Sequence, residues 1–240
     1  PCLVRSLLRS ERAQESRSLG KARMRTFFLN YRSLPLLLCL VCIILTSTLR
    51  VGSHFLAYLI SGAIWSLLIA ASASLLNPSR LWFRIFFILA LLILANVGAQ
   101  YVIRGEIALS ISLHLTITVI HLLTLGLLLR HAFGHRNAIA LDRISGAVAG
   151  YLLLALIWGN IYNMILVQQP YAIVETADTE PVKNEHIIYY SLITLTTQGY
   201  GDIVPKSSPA RIAAALEGTV GTLYLAALIA FLIGMIKPEE

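Results

Sequence analysis

Residues 186–202 read HIIYYSLITLTTQGYGD. The stretch 186–197 is apolar enough for a helix. It is too short to cross a hydrocarbon core of about 30 Å, which takes about 20 helical residues. It runs directly into T-T-Q-G-Y-G-D at 196–202, with two glycines around a tyrosine and an acid at the end. Long apolar stretches flank it at 144–168 and 210–236. A short helix between membrane-length ones fits a re-entrant segment, a form tolerated only where protein or a water-filled cavity surrounds it.

Working outward, four more apolar stretches precede these, at 34–50, 54–76, 81–103 and 107–129. The chain is 57% hydrophobic and 13% charged, with a mean hydropathy of +0.75. A soluble domain holds about 45–50% apolar and roughly 25% charged residues, so lipid is the expected cover for the excess. The expected architecture is an all-α, multi-pass membrane protein with six transmembrane helices and a re-entrant short helix with the loop that follows it.

Charge orients it. Residues 1–33 hold seven Arg and one Lys against two Glu. Placing that end in the cytoplasm puts fourteen of the nineteen basic residues inside, as the positive-inside rule requires. Both termini are then cytoplasmic, and the acidic loop 169–185 lies outside. The net charge of +7 follows largely from this bias. Membrane lipid is the natural partner of the basic segment, and no nucleic acid or small-molecule substrate is implied.

Span, short helix, T-x-G-Y-G-D and span together resemble the pore module of the tetrameric potassium channels, over about residues 144–236. The resemblance implies a cation channel of the cell membrane that is potassium-selective or potassium-preferring. Potassium would be the permeant ion, with no organic cofactor. Each chain carries one pore loop, so a carbonyl ring needs three identical subunits beside it, a homotetramer. By resemblance, Thr197, Gln198, Gly199, Tyr200 and Gly201 line the filter, and the carbonyls of Thr197 to Tyr200 replace the ion's water. Thr196 and Asp202 support it. The Tyr200 ring is expected to point away from the ion and pack against the pore helix. Tyr189 and Tyr190 match paired aromatics that brace the filter, one hydroxyl reaching Asp202; interfacial aromatics are the plainer alternative.

Three residues depart from, or add to, this pattern. Gln198 stands where the family carries an aliphatic residue. Its amide is expected behind the filter, bonded to Ser191, Thr194, Thr196 or Glu217, because an unpartnered buried amide costs about 1–3 kcal/mol. Glu217 lies inside the last span, where a charge costs roughly 2.5–3.5 kcal/mol on insertion scales. Three placements are open: behind the filter against Gln198 or a pore-helix threonine, in a ring around the cavity, or in a helix–helix hydrogen bond without effect on conduction. Gly221 matches a position where the family's inner helix bends, and close helix packing is the alternative.

Six spans with the pore last resemble the voltage-gated layout, but residues 107–129 hold no Arg or Lys. An arginine voltage sensor is therefore not expected in this four-helix domain, 34–129. That span instead holds His114 and His121, seven residues apart on one face, which are candidate pH-sensing groups or plain helix–helix hydrogen bonders. Residues 130–143 are expected to form a cytoplasmic linker. Cys39 and Cys42 lie in an apolar span without a neighbouring His or acid, so no metal or redox role is expected. No nucleophile–base pair or phosphate loop stands out, so an enzyme is not expected. A non-selective cation channel, a subunit of a potassium uptake transporter and a non-conducting scaffold are the alternatives.

Overall fold

The computed structural model describes residues 33–47, 79–103, 106–134, 140–177 and 179–234. The basic segment 1–32 and the expected span 54–76 lie outside the described residues.

Among the described residues, five longer α-helices and one short one form the frame: α1 Leu34–Ser47, α2 Arg80–Val102, α3 Ile107–Gly134, α4 Ala140–Gln168, α5 Ile187–Leu195 and α6 Ser208–Ile233. Among the described residues, α2, α3, α4 and α6 are long and apolar enough to cross a membrane. The 14 residues of α1 reach only about 21 Å at 1.5 Å per residue. Local chemistry explains the helix starts. Ser79 accepts a hydrogen bond from the Trp82 amide at the head of α2. Ser207 does the same for Ala210 at the head of α6, with Pro209 in the first turn where its missing N–H is harmless.

The packing centres on α4. It runs against α1 and α3 on one side and against α5 and α6 on the other, while α2 packs on α3. One apolar core joins Leu36 and Leu40 of α1, Leu128 of α3 and Leu153 of α4 to Leu195 at the end of α5. A second core, around Tyr162, Ile173, Ile187 and Ile203, sits under the loops at the other end of α5. The outer face of α2 (Leu81, Phe83, Ile88) and one face of α6 (Ile212, Leu223, Ile229) are exposed and apolar, as surfaces that meet lipid or another chain must be.

Three expectations are corrected. The linker expected over 130–143 is helical at both ends, because α3 runs on to Gly134 and α4 begins at Ala140. The reason is a buried polar cluster that joins these ends. Asp142 accepts from the Ser33 amide at 2.8 Å and the Ser33 hydroxyl at 2.5 Å, and its other oxygen meets His131 Nε2 at 2.8 Å. The carboxylate thus sits at the N-termini of α1 and α4 together, and the imidazole at the C-terminal end of α3, each where the helix dipole favours it. The helix expected over 186–197 is the nine-residue α5, preceded by a 3-10 turn, Asn184–His186. Finally, the fold is not wholly α. Strand β1 (Ile173–Glu175) pairs antiparallel with β2 (Ile203–Pro205), Val174 opposite Val204.

Candidate pore loop and its supports

The site begins where α5 stops. The Gln198 amide donates to the Ile193 carbonyl at 2.9 Å and the Thr197 amide to the Thr194 carbonyl at 3.0 Å. Together they form a Schellman motif, which ends a helix by turning one residue left-handed. That residue is usually glycine. Here it is Thr197, at φ 59°, a conformation that is a genuine outlier for a β-branched residue and costs of order 1–3 kcal/mol.

Gly199 and Gly201 also have positive φ, 48° and 81°, whereas Gln198 and Tyr200 between them do not. Alternating the sign of φ turns successive peptide groups to the same side instead of to opposite sides. Glycine makes this inexpensive at 199 and 201. The carbonyls of Thr197, Gln198, Gly199 and Tyr200 accept no hydrogen bond among the described residues, and all four residues are exposed. The Gly201 carbonyl differs, accepting from the Thr176 hydroxyl at 2.6 Å. A groove of 520 Å³ opens beside this strand, between Tyr190 and Thr194 of α5 and Gly218 and Thr222 of α6.

Asp202 closes the loop. One carboxylate oxygen accepts from the Tyr189 hydroxyl at 2.7 Å, and the other from the Ile203 amide at 3.1 Å. One hydroxyl of the tyrosine pair therefore does reach Asp202. Tyr190 points the other way, buried edge-on against Tyr162 with ring centroids 4.9 Å apart, and its hydroxyl has no hydrogen-bond partner among the described residues. The Tyr200 ring is 69% exposed, so within one chain it does not pack against the pore helix.

Gln198 is also placed differently from expectation. It is exposed, and each expected partner is engaged elsewhere. Thr194 bonds the Tyr190 carbonyl, Thr196 bonds the Leu192 carbonyl, and Ser191 and Glu217 bond each other. Glu217 is fully buried, so it forms no ring around an open cavity. Its second oxygen accepts from the Tyr162 hydroxyl at 2.5 Å. Ser191 is within reach of the Ala155 carbonyl as well, at 2.8 Å. The acid thus joins α4, α5 and α6 behind the short helix, through a serine and a tyrosine rather than through Gln198 or a threonine.

Gly221 lies at the closest approach of α6 to α5. A Cβ there would fall on the Leu195 carbonyl group, which also accepts from the Tyr151 hydroxyl at 3.1 Å. The helix passes through Gly221 without a break, so close packing is what the missing side chain serves in this structure.

His114 meets Asn160 at 3.1 Å. His121 is 5% exposed, and its Nδ1 has no partner among the described residues. Neither approaches the pore loop. Cys39 and Cys42 form no disulfide, and no group of three His, Cys, Asp or Glu among the described residues has the geometry of a metal site.

Tyr151, Tyr162 and Thr176 were not expected at the site. The two tyrosines did leave a signal: eleven residues apart, they share one face of α4, from which the Tyr151 hydroxyl reaches Leu195 of α5 and the Tyr162 hydroxyl Glu217 of α6. Thr176 left none, because its role depends on how the 169–185 loop folds back.

Residues 150–237 match the family model described as "Ion channel". No curated protein and no solved structure matches the chain.

Proposed function

We propose that residues 150–237, which match the family model described as "Ion channel", form the pore domain of a potassium-channel-type protein, and that four copies of the chain form a potassium-preferring cation pore in the cell membrane. The observation that carries this is the run of four unpartnered carbonyls, Thr197 to Tyr200, turned by alternating φ. A dehydrated cation needs several oxygens at once, and one chain offers a single column of them. Four columns around an axis supply the ring. The carbonyl end of α5 points toward the same region and adds a favourable partial charge for a cation.

Assembly also accounts for what one chain leaves open. The exposed Tyr200 ring would pack on a neighbouring copy, beside the groove that Tyr190 lines. The exposed apolar face of α6 would meet lipid and its equivalents. Tyr189–Asp202 braces the outer end of the filter, and Glu217–Ser191–Tyr162 fixes the short helix from behind. Both termini lie in the cytoplasm. The one Arg of α3, Arg130, falls in its last turns, too few charges for a voltage sensor. On α3, His121 is buried and His114 half-buried; a role in pH sensing would act through α4, on which α3 packs.

Gln198 favours a second reading, a pore that passes sodium as well. Its side chain is held by none of the expected groups, so the second filter position lacks the buttress an aliphatic residue gives. Reversal potential in planar bilayers under opposed potassium and sodium gradients separates the two. A value close to the potassium equilibrium potential supports the first reading, and a value near zero the second. Absence of current in every cation leaves a non-conducting scaffold.

A further inference from the structure

The loop before the short helix does more than connect. The β1–β2 ladder ends with Glu175 opposite Ile203. The next residue, Thr176, continues it into the pore loop. Its amide donates to the Asp202 carbonyl at 2.7 Å, and its hydroxyl reaches one residue further, to the Gly201 carbonyl at 2.6 Å. The strand is itself anchored. Glu175 donates its amide to the Glu180 carbonyl at 2.9 Å and takes His186 Nδ1 on its carboxylate at 2.9 Å, and the Lys206 amide donates to the Ala172 carbonyl at 2.8 Å. Gly201 needs such an anchor. It has no Cβ, sits at φ 81°, and has nothing within 4 Å of where a Cβ would be, so nothing else on its own residue fixes its peptide plane.

We propose that Thr176 is a positioning residue for the outermost ion site of the pore, its hydroxyl orienting the Gly201 carbonyl. This rests on the assignment of Gly201 as the last filter residue. A carbonyl has two lone pairs, so Gly201 can accept from Thr176 and still face a cation. Without the hydroxyl, the carbonyl loses its fixed direction and the outermost ring is less preorganised. The four inner carbonyls have no such link, so the effect is confined to one side of the pore.

The test compares full-length wild type, Thr176→Val and Thr176→Ser in planar bilayers, measuring conductance against potassium on each side separately. Valine keeps the shape and removes the hydroxyl, and serine restores it. One neutral hydrogen bond is worth about 0.5–1.5 kcal/mol, so the expected change is roughly two- to twelve-fold. The half-saturating potassium concentration on the Asp202 side rises by that factor in Thr176→Val. It stays near the wild-type value in Thr176→Ser, and on the opposite side it is unchanged in both. Equal saturation in wild type and Thr176→Val overturns the proposal, as does a serine variant that behaves like valine. If the valine chain fails to assemble, Thr176→Ala removes the same hydroxyl and carries the test. No cation current from the wild-type protein would remove the pore assignment itself, which a silent Thr176→Val effect on a conducting protein would not.

Discussion

Two sides of the short helix α5 contrast sharply. Behind it, Glu217, Ser191 and Tyr162 are fully buried and close on one another within a single chain. In front of it, the strand Thr197–Tyr200 is exposed and its carbonyls have no partner. The rear is a finished interior, where polar groups removed from water must find each other. The front is unfinished: the Schellman turn and alternating φ shape it, and only its outer end is tied by side chains, at Asp202 and Thr176. Polar contacts close on one another where nothing else will come, and the exposed oxygens are left free for the cation of the proposed pore.

The largest expected effect is at the seam of the rear side. In Gly221→Ala the new Cβ would lie 3.0 Å from the Leu195 carbonyl carbon and closer to its oxygen. Both are backbone atoms, so α5 and α6 must part. Overpacking of about 3 kcal/mol would lower the apparent Tm in detergent by roughly 6–12 °C. Gly218→Ala, one turn earlier, is the control. Its nearest neighbour would be the Thr194 carbonyl oxygen at 3.5 Å, an ordinary contact, and a shift below about 2 °C is expected. Equal shifts in the two variants would mean that the helices do not meet at Gly221.

Next is the buried acid. Glu217→Leu leaves Ser191 the Ala155 carbonyl as an acceptor but takes from Tyr162 the only acceptor its hydroxyl is seen to use. An orphaned buried hydroxyl costs about 1–3 kcal/mol. Adding Tyr162→Phe removes the orphan, so the double variant should be more stable than Glu217→Leu alone. Strict additivity of the two losses in apparent Tm would break the pairing.

The third effect has the opposite sign and belongs to the front. Thr197→Gly relieves the left-handed strain at the Schellman position, worth about 1–2 kcal/mol, while glycine loosens the unfolded chain by about 0.5–1 kcal/mol. A net gain in apparent Tm equivalent to at most about 1.5 kcal/mol is expected, together with a lower conductance, since the hydroxyl expected at the inner end of the filter is lost. A variant that is both less stable and fully conducting would show that the strain at Thr197 has no part in the pore.

The same contrast explains what was legible in the sequence. The shape of the candidate pore loop was legible because its chemistry is local: the glycines, the short helix and the flanking apolar helices are contiguous, and the helices α5 and α6 lie within three residues of the bounds expected for them. The partners behind it were not. Glu217 was marked as costly inside a span, with its placement left open among three, because Ser191 and Tyr162 lie 26 and 55 residues away and only packing brings them together. Gln198 was misplaced for the same reason: expecting it behind the filter ignored that Ser191, Thr194 and Thr196 already have nearer acceptors. Asp142 was read only as part of the cytoplasmic linker, because an acid next to Arg143 gives no sign of Ser33, 109 residues earlier.

The smallest effect lies at the outer edge, where the front is tied down. The His186 imidazole, and after it the Lys183 amide, hold the Glu175 carboxyl below the usual carboxylate range. Its stabilisation of the β1 anchor is thus fully present above the ordinary glutamate value of about 4.3 and is lost as pH falls through the lower, folded value. Glu185 also approaches His186, at 3.8 Å, and the His186 and Glu175 side chains are 39% and 21% exposed, so water screens the pair and weakens it. Acidifying the Asp202 side should leave the wild-type saturation curve distinct from that of Glu175→Gln down to about pH 4.3 and bring the two together below it. Curves that coincide at every pH would show that the Glu175–His186 contact does not reach the filter, and that Thr176 holds Gly201 without help from the strand before it.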